Sequence, residues 1–455
     1  MDCDGRIVGL AVLACLGTLG CSSEDADTDP DADTGPEPGS DCDETRRPVL
    51  FVHGGFGAGD NFELQGMRFS SNGYCRSSLR VHDYDSTGVQ SMFNFGGDAQ
   101  QLYDDNIELI DDAVDRLLDD TGFDQIDLVG HSFGTGVSAD YLSEPGRAAK
   151  IAHYANVAGG QSAALPVPVV NIASDGDKVV GNADVPEAEQ PDVGYLDHMA
   201  ILTAEAPFVE MYKFFNDGEM PEFTQPVSEE TVEVSGFFRN FGDNAFRPGV
   251  MVSIYPVDAA TGERLDADPE ATSETGDDGS FGPVTLSAGT HYEFLLPGAG
   301  EAGREIHMYR TPFVRSTHLM YLKGMPSSGI ASTLLSGLVK YDDDRADAIV
   351  QHNHRAMIAG QHVLTVDGEE LLTPEVAGED ATLIALFAVD EDADGVADLT
   401  PLSRFVLPIP FLGGIDMSIP TDAEGPIEFV FEGETLHTPR WKGDTEGTVV
   451  VLFDN

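Results

Sequence analysis

The sequence predicts an α/β domain with a mostly parallel sheet, followed by two all-β domains of sandwich-like character. Three observations predict it. Short β-rich runs alternate with helical stretches between residues 46 and 222, the pattern of parallel strands covered by helices on both faces. A G-x-S-x-G pentapeptide, Gly130-His131-Ser132-Phe133-Gly134, stands between an apolar run and a helix-like segment. Beyond Glu222 helical periodicity fades, and strand-like runs separated by turns take over.

From the amino terminus, residues 1–20 read as a signal peptide. Ile7 to Leu19 is apolar, preceded by Arg6, too short to span a bilayer and of the length of a signal h-region. It ends in Thr18-Leu19-Gly20-Cys21-Ser22-Ser23, which resembles a bacterial lipobox. Cys21 is then the expected lipidation site and mature amino terminus. Thr18 departs from the leucine usual three residues before the cysteine, so cleavage by a general signal peptidase is the alternative. Residues 21–45 are rich in Asp, Glu, Pro, Thr and Gly, a composition that cannot bury a core and predicts an extended, self-repelling tether. The order predicts export, as a cell-envelope lipoprotein or else a secreted protein.

Acids outnumber bases 80 to 24, for a formal charge of -56. Nucleic acid is excluded as a partner, because phosphate binding needs clustered Lys and Arg. Basic patches for anionic membranes are equally lacking, so membrane contact is expected through the lipid anchor only. The sequence carries no signal of oligomeric state. Cys3, Cys15 and Cys21 belong to the leader, leaving Cys42 and Cys75. In an exported chain an isolated pair more often forms a disulfide than a metal site.

Pro48 to Val52 is the first strand candidate and runs into His53-Gly54-Gly55-Phe56-Gly57. Leu79 to Tyr84 is the second. An amphipathic helix is predicted from Asp98 to Asp120, with Leu102, Ile107, Ile110, Val114, Leu117 and Leu118 near one face. Ile126 to Val129 leads into the pentapeptide, and Thr135 to Leu142 is helical. Ile151 to Val157 and Val167 to Ala173 supply two more strands, and Ala200 to Phe215 a last helix. A G-x-S-x-G between strand and helix is the context of a nucleophile elbow, where small residues let the two backbones approach.

These motifs, in order, resemble the compact bacterial lipases of the α/β-hydrolase fold, typified by the small extracellular lipases of Bacillus. The matching stretches are His53 to Gly57, Asp120-Thr121-Gly122 and His131-Ser132-Phe133-Gly134. Ser174-Asp175-Gly176-Asp177-Lys178-Val179-Val180 and Tyr195 to Leu202 follow. The resemblance covers a little over a third of the chain and implies a serine hydrolase of 46–222.

A serine hydroxyl needs an adjacent base, which this fold supplies in the order serine, acid, histidine. Ser132 is the expected nucleophile. His198 follows the final strand, where the family places its base. His53 and His131 are built into motifs beside the reaction centre, whereas His82 and His153 lie on strands and read as structural. Asp177, immediately before Lys178-Val179-Val180, matches the family aspartate; Asp175 and Asp197 are the alternatives. The resemblance assigns the oxyanion donors to the N–H groups of Gly55 and Phe133, with Phe56 as the fallback. Between Val157 and Val167 there is no room for the large lid of many lipases. An open acyl pocket is therefore expected, with any cover coming from the rest of the chain.

Residues 228–303 predict a small β-sandwich, similar to transthyretin-like or carboxypeptidase-regulatory modules, with Val250 to Tyr255 and Thr290 to Leu296 among its strands. Residues 304–455 predict a second β-domain, ending in Thr448 to Phe453. The layout is similar to archaeal lipases whose β-domains assist lipid binding. Asp390, Asp392, Asp394 and Asp398 have the D-x-D-x-D-G-x-x-D spacing of a calcium loop, without the closing glutamate; a solvated turn is the alternative. Met320, Tyr321 and the Phe405 to Phe411 stretch read as core strands rather than a lipid-facing patch, and His352 and His354 as incidental neighbours.

The sequence thus predicts an exported carboxylic ester hydrolase, a triacylglycerol lipase or esterase, taking an acyl ester or lipid substrate. No cofactor is required, and a calcium ion would be structural. Polyester, thioester or amide hydrolysis uses the same machinery. A reading of another class is a surface binding or adhesion lipoprotein with the hydrolase domain as scaffold.

Overall fold

Val49–Val52 (β1) is apolar at every position because helices cover both of its faces. It lies in a five-stranded parallel sheet with Leu79–His82 (β2), Ile126–His131 (β3), Ile151–Val157 (β4) and Val169–Ile172 (β5), in the order β2-β1-β3-β4-β5. This is a computed structural model, describing residues 42–87, 99–335, 337, 342–378, 382–406 and 411–454. The leader, Cys21 and the tether up to residue 41 lie outside the described residues. Among those described, no helix is long and apolar enough to cross a membrane.

The helices of this part are Glu63–Ser71 (α1), Ala99–Thr121 (α2), Phe133–Leu142 (α3), Pro145–Ala148 (α4), Ala200–Thr203 (α5) and Glu205–Phe215 (α6). Alternation along β1 sorts its side chains between two cores. Val49 and Phe51 pack with Phe69 of α1 and Phe208, Met211 and Tyr212 of α6. Leu50 and Val52 pack with Ile110, Val114 and Leu117 of α2 and Val137 and Tyr141 of α3. Cys42 and Cys75 are disulfide-bonded, with Cα atoms 4.8 Å apart, which ties the start of the domain to the segment before β2.

Two local expectations change. The single helix expected over Ala200 to Phe215 is broken at Ala204, whose backbone is extended (ψ 163°). Pro207 has no N–H to donate, so it fits the first turn of α6 but not the middle of one long helix. Helix α1 has no apolar stripe to announce it. Two of its polar side chains are buried because they reach carbonyls elsewhere: Gln65 donates to Leu202 O and Arg68 to Thr203 O.

Among the described residues of the carboxyl-terminal half, the regular elements are strands except for Gly329–Leu335 (α7) and short 3-10 turns. Its first strands are Thr231–Asn240 (β6), Met251–Pro256 (β7), Ala271–Glu274 (β8), Ser280–Ser287 (β9) and Tyr292–Leu296 (β10). Ile306–Arg310 (β11), Thr317–Gly324 (β12), Ala348–His352 (β13), Leu364–Val366 (β14), Glu369–Glu370 (β15) and Ala385–Val389 (β16) follow. Leu412–Asp416 (β17), Ile427–Phe431 (β18), Glu434–Thr438 (β19) and Thr448–Phe453 (β20) complete it.

One mixed sheet, β17-β16-β13-β20-β11-β10-β7-β8, packs on the three-stranded sheet β12-β6-β9 and on the four-stranded sheet β15-β14-β18-β19. β20 feeds both cores, Val450 and Leu452 on one face and Val449, Val451 and Phe453 on the other. Residue 303 falls between β10 and β11, which pair antiparallel within this sheet. Met320 and Tyr321 are buried on β12, whereas Phe405 sits on a short 3-10 turn, Ser403–Val406, and not on a strand.

Buried charge joins the two halves. Arg310 on β11 lies 3.3 Å from Glu63 of α1 and 2.8 Å from Asp454. Lys323 lies 3.4 Å from Asp60, and Arg239 lies 3.5 Å from Asp83. Removing one member of such a buried pair strands the other without its counter-charge, at a cost of about 3–5 kcal/mol. Burial pushes the Asp454 carboxyl up from 3.8 to about 7, against the pull of Arg310. A carboxyl raised in this way binds more protons folded than unfolded, so its contribution to stability falls as pH rises from 3.8 through about 7. Asp454→Asn is therefore expected to flatten that limb of the Tm–pH curve, measured by thermal melts between pH 4 and 8.

Candidate active site

The turn after β3 forces Ser132 to φ 52° and ψ -121°, a conformation that strains any residue but glycine. Its N–H is held by the Val157 carbonyl at 2.9 Å. Gly134 lets α3 start directly against β1: a Cβ there would collide with the backbone carbonyls of Val52 and His53. Gly54 is equally close, since a Cβ on it would lie 2.8 Å from that of Ser132. The loop after β1 and the elbow after β3 are thus in contact.

The loop after β5 carries Asp177 and the segment before α5 carries His198. His198 Nε2 lies 2.8 Å from Ser132 Oγ, and His198 Nδ1 lies 2.8 Å from Asp177 Oδ2. The other oxygen of Asp177 accepts from the N–H groups of Val179 (2.8 Å) and Val180 (3.0 Å). Burial works against the Asp177 charge, but His198 and the two N–H groups outweigh it and hold its pKa below the ordinary carboxylate value. The two alternative acids are elsewhere. Asp175 is exposed, and Asp197 accepts from the N–H groups of Met199, Ala200 and Ala356 as a cap and strut.

His131 Nε2 lies 3.0 Å from the carbonyl of His198, which supports the His198 backbone. Burial, with His198 nearby, pushes His131 down to about 3, so it is the neutral donor that contact requires. His82 is buried against Asn106, and His153 is paired with Asp127 at 2.9 Å, both structural.

The Gly54–Gly55 peptide is oriented from behind. Its carbonyl takes His53 Nδ1 at 2.7 Å and the Gly57 N–H at 3.2 Å. Because a trans peptide is planar with C=O and N–H opposed, the Gly55 N–H points the other way. His53 Nε2 accepts from the Tyr84 N–H at 3.2 Å, and burial pushes the ring down to about 4, so the neutral Nδ1–H tautomer fits both contacts. The Phe56 N–H already donates to Ser86 Oγ at 2.8 Å, which leaves Gly55 as the donor available on this loop. The Phe133 N–H opens α3, where a first-turn donor has no partner within the helix.

Cover comes from the β half. Phe411 stacks on the His198 ring (5.8 Å between centroids, 13° between planes) and meets Phe56 at 6.5 Å. Phe133 and Val179 pack against the core that includes Phe411, Leu402 and Leu335. The site is therefore not fully open: Ser132 is half-buried, while His198 is enclosed.

At the acidic loop, one carboxylate oxygen each from Asp390, Asp392 and Asp394 lies within 4.8 Å of the others, a cluster that could hold a metal such as calcium. Asp398 does not join them. The chain beyond Gly395 pairs with β17 through Leu399 N to Asp416 O and Asp416 N to Thr400 O, which draws Asp398 away. Arg345 Nε already lies 2.9 Å from Asp390. His352 Nδ1 accepts from the N–H groups of His354 and Arg355, a local turn contact.

Gly134→Ala is expected to destabilise the fold by about 1–3 kcal/mol, the usual range for overpacking a closed contact, read from the urea midpoint.

Residues 47–173 match the family described as alpha/beta hydrolase fold, residues 230–325 the lipase C-terminal domain, and residues 337–455 a further family of C-terminal domains. No curated protein matches the chain. Among solved structures, a YdeN-like hydrolase from Pectobacterium atrosepticum is 18% identical over 38% of this chain and 92% of its own, with a TM-score of 0.27. Bacillus licheniformis lipase BlEst2 in propeptide form is 13% identical over 57% and 73%, with a TM-score of 0.29. Shaft pilin SpaA from Lactobacillus rhamnosus GG is 13% identical over 49% and 96%, at 0.16. TM-scores this low carry no functional weight. From the parallel sheet with its elbow and the two family matches, the chain is an α/β-hydrolase-fold protein with a lipase C-terminal domain.

Proposed function

We propose that the chain is an exported serine carboxylic ester hydrolase, a lipase or esterase, anchored at the cell envelope through Cys21. The observation that carries the enzymatic part is the hydrogen-bonded line from Asp177 through His198 to Ser132, both links at 2.8 Å. In this reading Ser132 Oγ attacks the acyl carbon while His198 Nε2 takes its proton. The Asp177 carboxylate accepts from Nδ1–H, fixes that tautomer and stabilises the imidazolium. The N–H groups of Gly55 and Phe133 hold the oxyanion, and His198 returns a proton to the leaving alcohol. Water activated by the same imidazole then frees the acid. No cofactor enters these steps, and calcium at Asp390, Asp392 and Asp394 would brace a loop of the β half.

The substrate is an acyl ester. The apolar flank formed by Phe56, Phe133, Val179 and Phe411 supports an aliphatic acyl group. A fluorophosphonate probe is expected to label the wild type and not Ser132→Ala; correctly folded wild type that resists the probe overturns the reading. Asp177→Asn is expected to keep the fold and lower kcat on p-nitrophenyl esters on the order of 10³- to 10⁴-fold, because the imidazole loses its fixed tautomer.

A further inference from the structure

The oxyanion loop is braced by a side chain from outside the hydrolase domain. Asn244, in the connection between β6 and β7, is buried and reaches across the interface. Its Nδ2 lies 2.9 Å from the Gly57 carbonyl, 3.0 Å from the Tyr84 carbonyl and 3.4 Å from His53 Nε2. All three partners are acceptors, so the amide can face them only with its NH2 end. Among the described residues Oδ1 then finds no donor, a burial that ordinarily costs stability. The backbone of Asn244 is also left-handed, at φ 54°. With both penalties in place, the side chain sits where only its two donor hydrogens are of use.

Those hydrogens hold the two strands of chain that enclose His53. Gly57 ends the turn whose N–H closes on the Gly54 carbonyl, and Tyr84 supplies the N–H that His53 Nε2 accepts. Tyr84 Oη also donates to the His53 carbonyl at 2.7 Å. The chain of contacts runs from Asn244 to Gly57 and Tyr84, then to His53, to the Gly54 carbonyl, and so to the direction of the Gly55 N–H.

We infer that Asn244 is a positioning residue for the oxyanion donor Gly55, which makes the lipase C-terminal domain a structural part of the reaction centre. The inference rests on the ester-hydrolase reading above. It predicts that losing the amide weakens binding of the tetrahedral, negatively charged state more than binding of the planar ester.

The test uses the full chain and two variants. Asn244→Gly tolerates the left-handed backbone and removes the side chain; Asn244→Asp keeps the shape but turns an acceptor toward three acceptors. Arg315→Met is the comparison. Arg315 joins the two halves through Ser70 and Val227, away from this loop. Both Asn244 variants are expected to lower kcat on p-nitrophenyl butyrate by about 10- to 100-fold, with KM nearly unchanged. Affinity for a boronic acid, which forms a tetrahedral adduct with the serine, is expected to fall in parallel. Arg315→Met is expected to lower Tm without moving kcat or boronate affinity. If the Asn244 variants lose only Tm, and kcat and boronate affinity stay at wild-type values, the inference is overturned while the hydrolase reading stands. A wild type that neither cleaves the ester nor takes the fluorophosphonate removes that reading, and this inference with it.

Discussion

A parallel sheet delivers the carboxyl ends of its strands, and the connections that leave them, to one edge. Everything at this site depends on that constraint. β1, β3 and β5 each end in a loop that carries one part: the His53 to Gly57 turn, the Ser132 elbow and Asp177. The packing cores on the two faces fix the strands, and the strands fix the loops. His198 arrives farther along the same irregular segment between β5 and α5 that carries Asp177, and it is correspondingly well braced. The His131 imidazole supports its carbonyl, and Asp197 caps the turn that follows.

What could be read from the sequence is what has a local signature. The elbow was legible because the glycines and the serine answer to sterics within five residues. Asp177 and His198 were read through the resemblance to the compact bacterial lipases, whose motifs recur here in order, with Asp175 and Asp197 as alternative acids. The disulfide followed from there being two cysteines after the leader. Interactions joining distant segments left no such trace. Nothing around Asn244 separates it from any other polar turn residue, and its partners are 160 to 191 positions away. The Glu63–Arg310–Asp454 cluster likewise draws on three remote segments. Polarity would place each of them on the surface; together they are buried. Phe411 over His198 is a further case, because the cover expected from the rest of the chain could not be assigned to a residue.

The β half teaches a related lesson about register. Its strands were visible as alternating runs, but alternation does not say which neighbour a strand takes. β12 follows β11 in sequence yet pairs in parallel with β6, in another sheet. β20, the last strand, inserts between β11 and β13 and joins both in parallel. Long-range parallel pairing of this kind is set by the packing of both faces, which local composition does not encode.

The insertion of β20 beside β11 has a consequence for how the protein could be divided. A cut between β10 and β11 would bare the hydrogen-bonding edges of two buried strands, each a template for intermolecular pairing. A cut before β20 would open the same sheet in its middle. The segments before and after residue 303 therefore share one sheet. The final strand closes the sheet, joining β11 on one side to β13 on the other.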